Sequence, residues 1–156
     1  MGKLGLTALF IFVLDQISKY WVVEHLNLKT IGAIDVLPPF LNFRMAWNQG
    51  INFGLFNFGD SGRWVLIVIS LLIVAFVLYW VRGAKGSMVP IAAGILVGGA
   101  LGNIVDRLVY GAVADFLNMS CCGIVNPFAF NVADIAIFAG AILLILFGDD
   151  KKEAKE

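Results

Sequence analysis

Residues 88–107 read Met88-Val89-Pro90-Ile91-Ala92-Ala93-Gly94-Ile95-Leu96-Val97-Gly98-Gly99-Ala100-Leu101-Gly102-Asn103-Ile104-Val105-Asp106-Arg107. The first 18 of these, through Val105, carry no charge. As a helix, the stretch from Met88 to Asp106 rises ~27 Å, close to the ~30 Å of a bilayer's hydrocarbon. Gly94, Gly98 and Gly102 recur every fourth residue, and small residues at that spacing let helix backbones approach closely. Asp106 continues the same stripe, which places it against a neighbouring helix rather than lipid. Asn103, Asp106 and Arg107 share one face at the end of the helix. This is the pattern of a membrane span that is apolar along its length and polar at one end.

Three further stretches resemble it: about 4–23, 64–81 and 128–147. Helices are suited to crossing because they satisfy every backbone polar group internally. Aromatic residues mark the ends, with Tyr20 and Trp21 closing the first span, Trp64 opening the second, and Tyr79 and Trp80 closing it. The whole chain of 156 residues is 60% apolar and only 14% charged. A soluble domain of this length could not bury so much apolar side chain. The expected fold is a mostly α, single integral membrane domain over residues 1–156. Formal net charge is zero and no basic patch suits nucleic acid. Cys121 and Cys122, the two cysteines, are adjacent and have no metal-ligand spacing. Neighbouring cysteines seldom bridge, so they read as two small residues in an outer loop with no disulfide. The N-terminal run contains Asp15, Gln16 and Lys19 and no small-residue cleavage site, which makes it a retained helix.

Lys3, Arg82, Lys85, Lys151, Lys152 and Lys155 fall on one side of the four spans. The positive-inside rule therefore puts both termini in the cytoplasm and residues 24–63 and 106–127 outside. Within 24–63, Leu41–Asn48 largely alternates apolar and polar, which suggests a strand. Pro38-Pro39 precedes it, and Gly50, Gly54 and Gly59 follow. A small curved sheet on the membrane surface is expected there. Residues 149–156 form a charge run that reads as a frayed, solvated end.

Charges inside spans are costly and usually face the protein interior or a water-filled cavity. Asp15 and Lys19 are four apart on one helix face; Asn131 and Asp134 are three apart at the start of the fourth span. Asp15 lies ~17 Å and Lys19 ~22 Å up the first helix from Leu4. With the N-terminus inside, these groups, Asp106 and Asp115 gather in the outer half of the bilayer. Asp15 with Lys19, and Asp106 with Arg107, could be structural ion pairs. Asp115 and Asp134 have no basic residue within four positions. Two such acids brought together cannot both ionise easily and share a proton, a state suited to general acid–base hydrolysis. Spacing alone equally allows two separate interfacial caps.

At these residues the chain resembles the lipoprotein signal peptidases, or signal peptidase II. The matching motifs are Asp15-Gln-x-x-Lys19, Asn48-x-Gly50-x-x-Phe53-Gly54, Gly99-Ala-Leu-Gly-Asn103-x-x-Asp106-Arg107, Gly111-x-Val113-x-Asp115-Phe116 and Phe130-Asn131-x-Ala133-Asp134. They run in the family's order from the first helix to the last. The resemblance implies an aspartyl endopeptidase of the bacterial cytoplasmic membrane that cleaves before a diacylglyceryl cysteine of a prolipoprotein. It assigns the catalytic pair to Asp115 and Asp134. It makes Asp15, Lys19, Asn48, Gly50, Asn103, Asp106, Arg107 and Asn131 supporting or substrate-binding residues. It implies four helices, a small extracytoplasmic sheet, a short surface helix between spans three and four, and no metal or organic cofactor. Asn52 stands where the family more often has a small residue, and 118–127 matches no family motif. A monomer follows from all required groups lying on one chain. Intramembrane acids also serve proton relays, so the rival reading is a small proton-coupled transporter or transporter subunit. A non-enzymatic assembly factor, which needs no acid pair, is the third.

Overall fold

The structure is a computed structural model in which residues 1–50, 62–84 and 86–148 are described. Asn52, Phe53, Gly54, Gly59, Lys85 and the charged tail 149–156 lie outside the described residues.

The apolar runs form helices. α1 spans Gly2–Lys19, α3 Gly62–Trp80, α4 Met88–Val109 and α5 Val132–Phe147. The first three of these are long and apolar enough to cross a membrane; α5, at 16 residues, is shorter and as apolar. Together they make the four-span fold expected from the sequence. α1, α3 and α5 all pack on α4. The glycine stripe explains why α4 takes the centre. A Cβ on Gly94 would meet the Leu4 carbonyl at 2.6 Å, and one on Gly98 the Ala8 carbonyl at 2.5 Å. On another side of α4, a Cβ on Gly99 would meet the Ala133 carbonyl of α5 at 2.5 Å. Gly140 of α5 approaches the α4 backbone at Leu96 in the same way. Close approach gains dispersion contacts that large side chains would prevent.

α1 does not stop at its last turn. It continues as a π-helical segment, Tyr20–His25, and then the short α2, Leu28–Ile31. Val22 and Val23 of that segment are buried with Leu28, Ala114 and Phe116 under the sheet. Among the described residues, the short surface helix implied between spans three and four is absent; the one short helix outside the spans, α2, lies instead between the first span and the sheet. The stretch between α4 and α5 holds a strand and a turn instead of a helix.

The sheet has three antiparallel strands in the order β1-β2-β3: β1 Ala33–Leu37, β2 Leu41–Asn48 and β3 Val113–Met119. The alternating stretch 41–48 is the strand expected of it. The sheet is not confined to 24–63, however, since β3 comes from the chain between α4 and α5. Its register sets Ala46 opposite Asp115, Trp47 opposite Ala114 and Asn48 opposite Val113, beyond a bulge between Phe43 and Ala46. β3 is nearly all buried, which hides the alternation that marks half-exposed strands.

Two other expectations are corrected. Residues 128–131 are not helical: Pro127 precedes them and Asn131 caps α5, so that helix begins at Val132. Cys121 and Cys122 form a disulfide rather than remaining free. They sit in a tight turn in which the Ile124 N–H donates to the Cys121 carbonyl at 2.9 Å, with Cys122 at φ 59° and Gly123 at φ 81°.

Candidate active site

The polar residues of five separate chain segments meet where α1, α4 and α5 approach the sheet. Lys19 is the centre of the deeper layer. Its ammonium lies 2.8 Å from Asp15 Oδ2 and 2.8 Å from Asp106 Oδ2. Asp15 and Lys19 thus pair as their spacing suggests. Asp106 pairs with Lys19 across helices and not with its neighbour Arg107. Gln16 adds donors to Asp15 Oδ2 and Asp106 Oδ1, each at 3.2 Å. Gly102 leaves room for this layer, because a Cβ there would collide with Asp15 Oδ2.

Each of the two carboxylates also holds a backbone amide. Asp106 Oδ2 accepts from Ala114 N at 3.1 Å, and Asp15 Oδ1 accepts from Ala133 N at 2.9 Å. Ala114 precedes Asp115 and Ala133 precedes Asp134. The ion triad therefore grips the chain one residue before each of the two acids. Asp15 in addition sits at the positive end of α5, where a carboxylate is favoured.

Donors that cannot accept dictate how the amides above this layer are turned. Lys19 donates to Asn103 Oδ1 at 3.3 Å. The Asn103 NH₂ must then face the other way, and it donates to Asp134 Oδ1 at 2.9 Å. Likewise Asp134 N–H donates to Asn131 Oδ1 at 2.9 Å, completing a capping box in which Asn131 N donates to Asp134 Oδ2 at 3.3 Å. The Asn131 NH₂ is left to donate to Asp115 Oδ1 at 2.6 Å and to Asn103 Oδ1 at 3.3 Å. Asn48, from the end of β2, donates to Asp115 Oδ2 at 2.9 Å.

All four oxygens of Asp115 and Asp134 thus accept N–H donors, and Asn131 touches both acids. Neither acid forms an ion pair among the described residues. Asp115 is 2% exposed. Burial first, and the nearby Asp134 charge second, push its carboxyl up from 3.8 to about 6 against the opposite pull of Asn48, Asn131 and Lys19. Such a group exchanges a proton near neutrality, as a general acid or base must.

Of the remaining residues singled out from sequence, Gly50 takes φ 80°, its N–H donates to Asn48 Oδ1 at 2.8 Å, and its α-carbon packs beside Leu66. That fixes the Asn48 amide so that its NH₂ points at Asp115. Arg107 Nη1 donates to the Asn103 carbonyl at 3.3 Å. Every site residue expected from the sequence is therefore in this cluster or adjoins it. Sequence reasoning missed Gln16 as a bridge and the amides of Ala114 and Ala133 as anchors. Gln16 stood inside a quoted motif; backbone groups leave no trace in side-chain spacing.

The chain is similar to known proteins over most of its length. The signature of the family described as Signal peptidase (SPase) II matches residues 7–148. A lipoprotein signal peptidase of Methylorubrum extorquens (strain PA1) is 43% identical over 144 residues, covering 91% of this chain and 83% of that one. One of Caulobacter vibrioides (strain ATCC 19089 / CIP 103742 / CB 15) is 39% identical over 135 residues, covering 86% and 79%. Among solved structures, a bacterial membrane enzyme determined by the in meso method at 2.3 Å resolution aligns with TM-score 0.75 and 28% identity over 100% of this chain and 93% of that one. Another, at 1.9 Å, gives TM-score 0.78 and 29% identity over 94% and 92%. With the family signature across nearly its whole length and relatives this similar, the chain belongs to the signal peptidase II family.

Proposed function

We propose that this chain is an aspartyl endopeptidase that removes the signal peptide from diacylglyceryl-modified prolipoproteins, with Asp115 and Asp134 as its catalytic pair. The observation that carries the reading is the bridge through Asn131: a buried acid, Asp115, and a half-buried one, Asp134, with no ion-pair partner among the described residues, each hydrogen-bonded to the same residue. Membership of the signal peptidase II family supports a peptidase and gives no support to the transporter reading.

In the mechanism, the pair holds one proton. The ionised member takes a proton from water as the water attacks the peptide carbonyl before the lipidated cysteine, and the protonated member donates to the developing oxyanion. The C–N bond of the resulting diol then breaks as the proton taken from water passes to the leaving cysteine amine and the diol hydroxyl returns its proton to the other acid. Asp115, whose carboxyl is pushed up, and Asp134, facing the Asn103 NH₂, divide the roles of acid and base between them. Lys19 acts through Asn103: it holds the amide in the one orientation that donates to Asp134. Asp15 and Asp106 position the two acids by their backbone grips, while Arg107 and Asn48 flank the substrate side. A diacylglyceryl cysteine is held in the outer leaflet, so a site at that level needs no long reach, and the anchored substrate arrives oriented. On this reading the site lies near the outer face of the bacterial inner membrane and, with the lysine and arginine asymmetry, both termini are cytoplasmic. A monomer suffices, and neither nucleic acid nor a cofactor takes part.

The test is cleavage of a diacylated prolipoprotein by purified protein. Asp115→Asn and Asp134→Asn are each expected to abolish it while the protein stays folded; substantial turnover by either variant removes that acid from the mechanism. A metal chelator is expected to leave the rate unchanged.

A further inference from the structure

From Asp115 to Asp134 the chain carries no charged side chain across residues 116–133. Most of this stretch is the turn that joins β3 to α5. Met119, Ile124, Val125 and Phe128 on it are exposed, with Ile124 at 74% and Val125 at 71%. Leu37, at the end of β1, and Phe40, in the β1–β2 connection beside the turn, are exposed as well. Phe40, Met119, Cys121, Ile124, Val125 and Pro127 line an open cleft of about 460 Å³. An uncharged apolar end of this kind is not what an aqueous loop presents.

The turn also satisfies several of its polar groups internally. Asn118, 2% exposed, donates to the carbonyls of Asn126 and Phe128 at 2.8 and 2.7 Å. Ser120 Oγ accepts from Asn126 N at 3.1 Å, and Asn126 Oδ1 accepts from Phe128 N at 3.0 Å. The Ile124 N–H bonds back to Cys121, and the two cysteines bond to each other rather than presenting thiols. Internal satisfaction is what non-helical backbone needs where water is scarce.

Finally, α5 is short. Its 16 residues rise ~24 Å, less than the ~30 Å of hydrocarbon that a span must cross. The apolar turn directly precedes its first residue and can supply the missing depth.

We infer that the turn at 119–128, with Leu37 and Phe40, is seated in the outer leaflet among lipid acyl chains and holds the sheet at a fixed depth. β3 joins this seat to the site: Asp115 and Met119 are on one strand, ~13 Å apart at ~3.3 Å per residue. Resting on the proposed peptidase reading, the consequence is that the seat keeps Asp115 level with a scissile bond whose own depth the diacylglyceryl group sets.

The experiment uses the full chain in liposomes, with Cys121→Ser and Cys122→Ser as the background and Val125→Cys carrying an environment-sensitive fluorophore. Quenching by lipid-borne quenchers, with protection from aqueous iodide, is expected. Quenching by iodide alone places the turn in water and overturns the inference; protection from both quenchers means that protein, such as a second copy, covers it, and overturns it too. A second variant, Ile124→Lys with Val125→Lys, is expected to lower kcat/KM about tenfold in liposomes, where depth matters, and to stay within about twofold of the parent in detergent. Equal activity of variant and parent in liposomes refutes the depth-setting role. Failure of the parent to cleave at all refutes the peptidase reading and leaves the quenching result readable.

Discussion

Asp115 gathers the opposing forces of the site into one side chain. Burial and the neighbouring Asp134 push its carboxyl up to about 6, while two amide donors hold its charged form. In the unfolded chain the same group ionises near 3.8. Between those values the folded state binds more protons than the unfolded one, so this group's contribution to stability is full below about 4 and declines as pH rises to about 6. Asp115→Asn removes the dependence. Its melting temperature relative to the parent is expected to climb as pH rises from about 4 to 6 and then level off, as read by thermal denaturation in detergent at several pH values. A flat difference across that range would mean that Asp115 is not perturbed. Lys19 is the converse case, a charge that others depend on. Lys19→Met leaves Asp15 and Asp106 buried without a counter-charge, a loss of roughly 3–5 kcal/mol for breaking a buried pair. Lys19→Arg keeps a donor-only cation, and recovery of part of the cleavage by arginine but none by methionine is the expected pattern.

Among the elements, the seam between α4 and its partners is built on glycine, and one of those glycines, Gly102, borders the site. Gly102→Ala drives a methyl group into Asp15 Oδ2, whose other oxygen holds Ala133 N at the head of α5. The expected result is a loss of about 1–3 kcal/mol from overpacking together with a fall in kcat, because the grip before Asp134 is displaced. Gly94→Ala, farther down the same seam, meets the Leu4 carbonyl but touches no site residue. It is expected to lower stability with little effect on kcat, and measuring both variants separates packing from positioning. Asn131 does two things at once, capping α5 and donating to Asp115. Asn131→Ala is expected to lose about 1 kcal/mol as a cap and, separately, to reduce kcat well beyond that stability change.

At the level of the whole molecule, the site arises from segments that are far apart in sequence: α1, the end of β2, the end of α4, β3 and the head of α5. α4 organises them because it is the helix that the other three spans share. The fold therefore couples the membrane spans to the sheet through side chains rather than through a single loop. Topology can be tested directly. Reporter fusions at either terminus are expected to report the cytoplasm, and a tag inserted at Lys29, beside the exposed Glu24 pair, is expected to report the outside.

The sequence by itself determined the four spans, the strand at 41–48, the polar cluster at one end and the pair of acids without basic partners. Each of these rests on a property that a short window carries: hydropathy, period or spacing. It could not show that β3 joins β2, because a strand buried on both faces has no alternation to display. Nor could spacing predict that Asp106 would choose Lys19 over Arg107, or that Asp15 and Asp106 would hold the amides of Ala133 and Ala114. Those are choices among partners distant along the chain, made only when close packing around α4 excludes water and leaves each buried donor and acceptor one geometry in which it is satisfied.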